Sequence, residues 1–434
     1  MAADRMRRIL TERFTAIGRH SVFRNFLSLS VLQLVALGTP LLTMPLVIRI
    51  AGLEKFGVIG MAMALVAWFE LLTDYGFDLS ATRQVSVNRS DSASLQRIFS
   101  SVTTIRLITS TGGLVMLIGL TSAIPVLREH RWIYLITYGR VFGKSLFPIW
   151  FYQGMEEMRF ITVFQAGSRI CFAALTFLLF RKPEDLALVP GLQSLGMIVP
   201  AAVALYHVKR KFGIRFIWPG AQAMKESLQD GFHIFLSRVY VNMYHSFNTL
   251  ILGFMSGYTA VGQYVMSAKV IEACSMIFIP ANNALFPHLS RLWKEDPGGF
   301  SVLTNRLQKG FLTAGTILAV TVLLLNGPII ILLNGSFESD AIRLLNILAF
   351  KLPFIALGPL YTSILIGQGR NKDYLWVVRN TLVINIILVP LSIGLYGATG
   401  LAVATLMVTA AHQWLFMQKG APAIIPVRIT RTLE

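Results

Sequence analysis

Residues 26–50, FLSLSVLQLVALGTPLLTMPLVIRI, and residues 57–77, GVIGMAMALVAWFELLTDYGF, are separated only by the link AGLEKF. Each run is apolar over about the 20 residues an α-helix needs to cross the hydrocarbon core of a bilayer. In lipid a chain must satisfy its own backbone hydrogen bonds, so both runs read as spanning helices joined by a tight turn. The pattern continues at 103–125, 133–153, 160–180, 186–207, 228–253, 262–285, 311–334, 341–366, 375–396 and 398–417, for an expected twelve spans.

Composition agrees with this reading. The 434 residues are 54% hydrophobic and 14% charged, with mean hydropathy +0.62. A soluble chain carries about 25% charged residues. The charges are lopsided, 39 Lys+Arg against 21 Asp+Glu, for a net +18. A nucleic-acid binder would need a polar surface to carry that charge, which this composition does not supply, so no nucleic-acid partner is expected. Cys171 and Cys274 lie far apart in apolar runs and read as buried thiols, which excludes a secreted disulfide scaffold.

The basic residues set the orientation. With a cytoplasmic N-terminus, the inner segments hold most of the Lys and Arg, whereas the outer ones hold Arg49, Lys55, Arg128, Arg131, Arg181, Lys182 and Arg343. Cytoplasmic loops are the basic ones, so both termini are placed inside. Residues 1–25 then form a basic cytoplasmic segment, 208–227 a cytoplasmic inter-lobe loop and 418–434 a cytoplasmic tail. The lobes become 26–207 and 228–417, six spans each. The first apolar run is too long for a cleaved signal peptide. An internal echo supports two halves: Gly52-Leu-Glu-Lys-Phe-Gly57 after span 1 matches Gly257-Tyr-Thr-Ala-Val-Gly262 after span 7. Six spans per half give a parallel repeat about the membrane normal, a common transporter plan.

Seven cations remain inside the expected spans: Arg140, Lys144, Arg169, Arg238, Lys269, Lys351 and Arg379. An ionisable group at bilayer depth costs at least about 2.5 kcal/mol, so it faces a protein interior, water or a partner. The clear acids at such depth are Glu70, Asp74 and Glu272, with Asp78 and Asp230 at span ends. A net cationic interior favours an anionic solute. Arg140 and Lys144, at i and i+4, repel each other unless an anion or an acid from another span sits between them, or one snorkels to an interface. On span 7, Arg238, Asn242, His245 and Thr249 share one polar face that lines a cavity or makes interhelical hydrogen bonds. Lys269 and Glu272, at i and i+3, are a structural pair or part of a site. Glu70, Asp74 and Asp78 recur on one face of span 2. They hold a coupling cation or proton, or they answer Arg83, Arg106 or Arg140.

No phosphate-cradling loop, metal-ligand cluster, nucleophile elbow or large outer loop is present in the sequence, so an ATPase, a metal cofactor and an embedded polymerase or ligase are not expected. Proline at 40, 45, 280, 353, 359 and 390 falls inside spans, where it bends helices.

Several stretches resemble Wzx-type O-antigen flippases, in the polysaccharide transporter branch of the multidrug/oligosaccharidyl-lipid/polysaccharide superfamily. They are Phe23-Arg24-Asn25-Phe26-Leu27-Ser28-Leu29, Asp74-Tyr75-Gly76-Phe77-Asp78-Leu79-Ser80-Ala81-Thr82-Arg83 and Pro148-Ile149-Trp150-Phe151-Tyr152-Gln153-Gly154-Met155-Glu156 in the first half. In the second half they are Asp230-Gly231-Phe232-His233-Ile234-Phe235-Leu236-Ser237, Asn248-Thr249-Leu250-Ile251-Leu252-Gly253 and Ala284-Leu285-Phe286-Pro287-His288-Leu289-Ser290. The resemblance implies about twelve transmembrane helices in two six-helix lobes, MATE-like and V-shaped around a central cavity. It implies an inner-membrane flippase that carries undecaprenyl-pyrophosphate-linked oligosaccharide to the periplasmic leaflet by alternating access. It also implies coupling to a proton or sodium gradient, and a polysaccharide polymerase and chain-length regulator as partners in the pathway. On that reading Arg140, Lys144, Arg169, Arg238, Lys269 and Lys351 are candidate substrate-binding cations, with Asn242, His245 and Thr249 as a polar substrate face. Glu70, Asp74 and Glu272 are candidate coupling or gating acids. A multidrug exporter of the same superfamily is the alternative, and its cationic substrates would call for an acidic interior.

Overall fold

A computed structural model describes residues 2–242 and 246–424, and among these residues there is no β-strand. The chain runs through α1 (Ala2–Asp74), α2 (Phe77–Val87), α3 (Ser92–Ala123), α4 (Pro125–Glu129), α5 (Arg131–Leu146), α6 (Ile149–Gly154), α7 (Met158–Leu179), α8 (Leu188–Phe212) and α9 (Ala221–Asn242). It continues through α10 (Asn248–Ser275), α11 (Phe278–Glu295), α12 (Pro297–Leu324), α13 (Asn326–Asn334), α14 (Ser339–Ala349), α15 (Leu352–Gly367) and α16 (Asn371–Ile424).

Glycine supplies the sharpest breaks. α1 has 73 residues, which unbroken would be about 110 Å long, several times the thickness of a bilayer core. It is two helices joined at Gly52, whose φ of 85° is open to glycine and costly for other residues. Gly397 (φ 57°) divides the 54-residue α16, and Gly257 (φ 79°) divides α10. Before Pro148, Phe147 takes an extended conformation because a helical one would clash with the proline ring, and α5 ends there.

Seven helical stretches among the described residues are long and apolar enough to cross a membrane, and two of them, Leu32–Val87 and Asn371–Lys419, contain the Gly52 and Gly397 breaks. The other expected spans are assembled from shorter pieces. Residues 133–153 comprise α5 and α6, and 262–285 are interrupted by the turn at Met276. The protein is a multi-pass, all-α membrane protein.

The helices gather into two compact units. The first comprises residues 1–43 and 65–239, and the second residues 44–64 and 240–434. The first has an aromatic core built on Phe77, Phe99, Trp150, Phe151 and Tyr152. The second packs around Phe278, Phe300, Leu360, Tyr361 and Phe416. These units are not cut at 26–207 and 228–417. Residues 221–239 join the first unit because α9 packs tightly on the α1–α2 junction. Residues 44–64 join the second because their backbone touches that of α10.

Candidate functional site

In the first unit the chain kinks between α1 and α2, where Tyr75 (φ 45°) and Gly76 (φ 80°) are both left-handed. The kink leaves Asp74 at the end of one helix and Asp78 in the first turn of the next, so their carboxylates converge instead of forming a straight ladder. Arg106, on the neighbouring α3, donates to both, at 2.6 Å to Asp74 and 2.8 Å to Asp78, and lies over the Phe77 ring. Arg106 is 2% exposed and Asp74 4%. Arg238 of α9 donates to the other Asp74 oxygen and lies 3.7 Å from Asp78. Two acids and two arginines therefore neutralise each other.

Glycine allows α9 to come this close. A Cβ on Gly76 would meet the Ile234 side chain at 2.9 Å, and one on Gly231 would meet the Tyr75 carbonyl oxygen at 2.8 Å. Tyr75 stacks on Phe235 at 4.7 Å, and Gln84 donates to Asp230 at 2.7 Å. The stretches around Asp74–Arg83 and Asp230–Ser237 are thus one contact. The third, Pro148–Glu156, joins the same junction: Thr82 donates to the Trp150 carbonyl, and Arg89 donates to the Gly154 carbonyl at 2.6 Å and to Glu156 at 2.7 Å. Just beyond it, burial pushes the Glu157 carboxyl up, but Lys211, which donates to it, and Arg159 more than offset this and hold it below the ordinary 4.5.

One turn before Asp74, Glu70 forms a second group. Its two oxygens accept from Arg140 Nε and Lys144 Nζ, each at 3.3 Å, so an acid from another span does sit between the i, i+4 cations. Arg169 of α7 lies within electrostatic reach of Arg140 and Glu70, and its buried Nε has no acceptor among the described residues. Three cations here share one carboxylate. A crevice lined by Glu70, Thr73, Asp74, Arg106, Val141, Lys144 and Ser145 joins the two groups. It has room for about one water, and the unpartnered Thr73 Oγ1 and Arg106 Nε belong to its lining residues.

The remaining expected site residues lie in the second unit or outside the described residues. Lys269 and Glu272 pair with each other at 2.6 Å and are both nearly half exposed. Lys351 is half-buried at the turn between α14 and α15, and no carboxylate among the described residues pairs with it. Arg379 is exposed on α16. Thr249 is buried near the start of α10, while its neighbour Asn248 exchanges two amide hydrogen bonds with Asn385, at 3.2 and 2.9 Å. The side chain of Asn242 and all of His245 lie outside the described residues. Arg106, which the sequence offers only as one possible answer to the acids of span 2, sits well inside α3, and its position past the start of the apolar run at 103 is the signal that marks it.

Comparison with known proteins gives a consistent result. Over residues 22–293 the chain matches the family described as "Polysaccharide biosynthesis protein". A protein of Escherichia coli (strain K12) named "Putative O-antigen transporter" is 27% identical over 365 residues, covering 82% of this chain and 86% of the relative. A protein of the same name from Shigella dysenteriae is 27% identical over 255 residues, covering 58% and 63%. Among solved structures, a lipid II flippase MurJ in an inward closed conformation aligns with TM-score 0.76 at 12% identity, covering 92% of this chain and 87% of that one. An inward-facing multidrug resistance MATE family transporter aligns with TM-score 0.67 at 12% identity, covering 92% and 98%. At such identity these two establish a MATE-like fold and nothing further. The family match extends across more than half of the sequence and contains the whole α1–α2–α9 junction, so the chain belongs to the polysaccharide biosynthesis protein family.

Proposed function

We propose that this chain is a flippase that moves a lipid-linked oligosaccharide of the O-antigen class between the leaflets of a membrane. The observation that carries the reading is the group of Arg140, Lys144 and Arg169 around the single carboxylate of Glu70. Cations in excess at membrane depth are costly unless an anion completes them. A pyrophosphate linking sugar to lipid is such an anion, with several strong acceptor oxygens for arginine. Arg238, already matched by Asp74 and Asp78, instead holds α9 to the kink. The names of the two relatives support a transport role rather than an enzymatic one.

On this reading the substrate is an undecaprenyl-pyrophosphate-linked repeat unit. It travels from the cytoplasmic to the periplasmic leaflet of a bacterial inner membrane by alternating access, drawing on a proton or sodium gradient. Both termini then lie in the cytoplasm. Replacing Arg140, Lys144 and Arg169 together by Ala should abolish surface polysaccharide in a strain that depends on this protein, with normal amounts of protein in the membrane. Lipid-linked units should accumulate facing the cytoplasm. Full surface polysaccharide from the triple variant would overturn the assignment.

A further inference from the structure

Helix α8, which belongs to one of the stretches able to cross a membrane, carries an exposed stripe of Leu195, Val199, Val203 and Tyr206. Steps of four, four and three residues put these side chains on one helical face. The stripe passes from aliphatic to aromatic and ends on Arg210, whose guanidinium lies over the Tyr206 ring. Arg210 stands about 6 Å beyond Tyr206 along the axis, within the depth of one headgroup layer. Aliphatic side chain, tyrosine and arginine follow each other as hydrocarbon, interface and phosphate do in a leaflet.

The chain then turns at Gly213 (φ 66°) and runs without regular structure through Ile214-Arg215-Phe216-Ile217-Trp218-Pro219. This segment is fastened in place. Ile214 and Pro219 are buried, and the Ile217 N–H donates to Ser100 Oγ of α3 at 2.9 Å. Ser100 precedes the apolar run that starts at 103 by about 4.5 Å, so the segment is held at the depth where α3 leaves the hydrocarbon. Between the fastenings Arg215, Phe216 and Trp218 are exposed, Trp218 at 80%. Apolar rings held out by an ordered backbone mark an interaction surface. Its charge identifies what covers it. Among the described residues no carboxylate pairs with Lys209, Arg210 or Arg215, whereas the adjacent Lys211 is answered by Glu157. The helix dipole accounts for cations in the last turn of α8, but not for Arg215 or for the rings beyond it.

We propose that Arg210, Arg215 and Trp218, with Lys209 and Phe216, form a binding site for anionic phospholipid headgroups that ties the segment between α8 and α9 to the membrane surface. The indole sits among the glycerol esters, and the cations take the phosphate and its negative neighbours. Only the assignment of this site to the cytoplasmic leaflet rests on the orientation proposed above.

The test uses the full chain in phosphatidylcholine nanodiscs that contain a minor fraction of lipid brominated near the top of its acyl chains, either phosphatidylglycerol or phosphatidylcholine. Both faces carry the same lipids, so the orientation of the protein does not enter. The emission of Trp218, taken as the difference between the native protein and Trp218→Phe, should be quenched about threefold more by the brominated phosphatidylglycerol. Salt at about 1 M should remove most of that preference. Lys209→Gln/Arg210→Gln/Arg215→Gln should erase it and leave Trp218 quenched equally by both lipids. Lys294→Gln/Arg306→Gln/Lys309→Gln takes the same charge from exposed positions on α11 and α12 and should retain the preference. Equal quenching by the two lipids in the native protein, or an equal loss of preference in both triple variants, would overturn the site. Trp218 quenched by neither lipid would overturn the membrane as its occupant and point to a protein partner. No arm of the experiment contains cargo, so the flippase reading stands or falls separately.

Discussion

Replacing Arg106 by Met tests whether the charges at the kink act as one unit. The guanidinium makes two charge-assisted hydrogen bonds to carboxylates that are 4% and 22% exposed. Removing one partner of a buried ion pair costs about 3–5 kcal/mol, because the other charge is left uncompensated. Here Arg238 still neutralises Asp74, so the loss should be about 3 kcal/mol, roughly a 150-fold shift in the unfolding equilibrium. Asp74→Asn should cost a similar amount, since Arg106 retains Asp78 and Arg238 keeps only its longer contact to Asp78. In the double variant one acid and one base disappear together, leaving Asp78 and Arg238 as a matched pair. Its cost should be about 3 kcal/mol, well below the sum of the single variants, giving a coupling energy of about 2 kcal/mol or more. Reversible unfolding of the purified protein in mixed micelles, followed by tryptophan fluorescence, measures all three. Additive losses in the double variant would refute the shared network, and a change under about 0.5 kcal/mol for Arg106→Met would refute its burial in an ion pair.

Further outcomes follow from the same geometry. Glu70→Gln removes the carboxylate that competes for Arg140 and Lys144, so inorganic pyrophosphate should bind about tenfold more tightly by calorimetry, whereas Arg140→Ala should weaken it about tenfold. Arg238→Ala should leave that affinity unchanged. Replacing Asn385 by Ala breaks an amide pair inside the second unit and should cost about 0.6–1.7 kcal/mol in the same micelle assay. The Glu157 carboxyl is held below its ordinary value, so its contribution to stability is present above about pH 4.5 and disappears as pH falls through the lowered value. The stability difference between the native protein and Glu157→Gln should therefore be constant at neutral pH and vanish only in acid.

The spans were legible because lipid imposes a length and a composition on any helix that crosses it. That Glu70, Asp74 and Asp78 meet cations from other helices was one of the readings the sequence left open, and it follows from the cost of leaving a charge alone at depth. What could not be read was which of several possible partners each charge would choose. By spacing Arg238 shares a polar face with Asn242, His245 and Thr249, but the kink at Tyr75 and Gly76 carries Asp74 to it. That kink depends on a left-handed Tyr75, which no spacing rule announces. The unit boundaries were hidden for a similar reason, since the packing of 221–239 and of 44–64 is decided by glycine contacts between distant parts of the chain.

A Cβ on Gly57 would fall onto the Tyr258 carbonyl oxygen and one on Gly262 onto that of Leu53, and this reciprocal seating bears on how the two echoed links can differ. Each glycine meets the main chain of the other copy, and a main chain is the same whatever side chain it carries. Leu53, Glu54, Lys55 and Phe56 can therefore differ from Tyr258, Thr259, Ala260 and Val261, as they do, while the paired glycines cannot change without colliding with the main chain of the opposite link. The echo between the two links is carried by residues that have no side chain to vary.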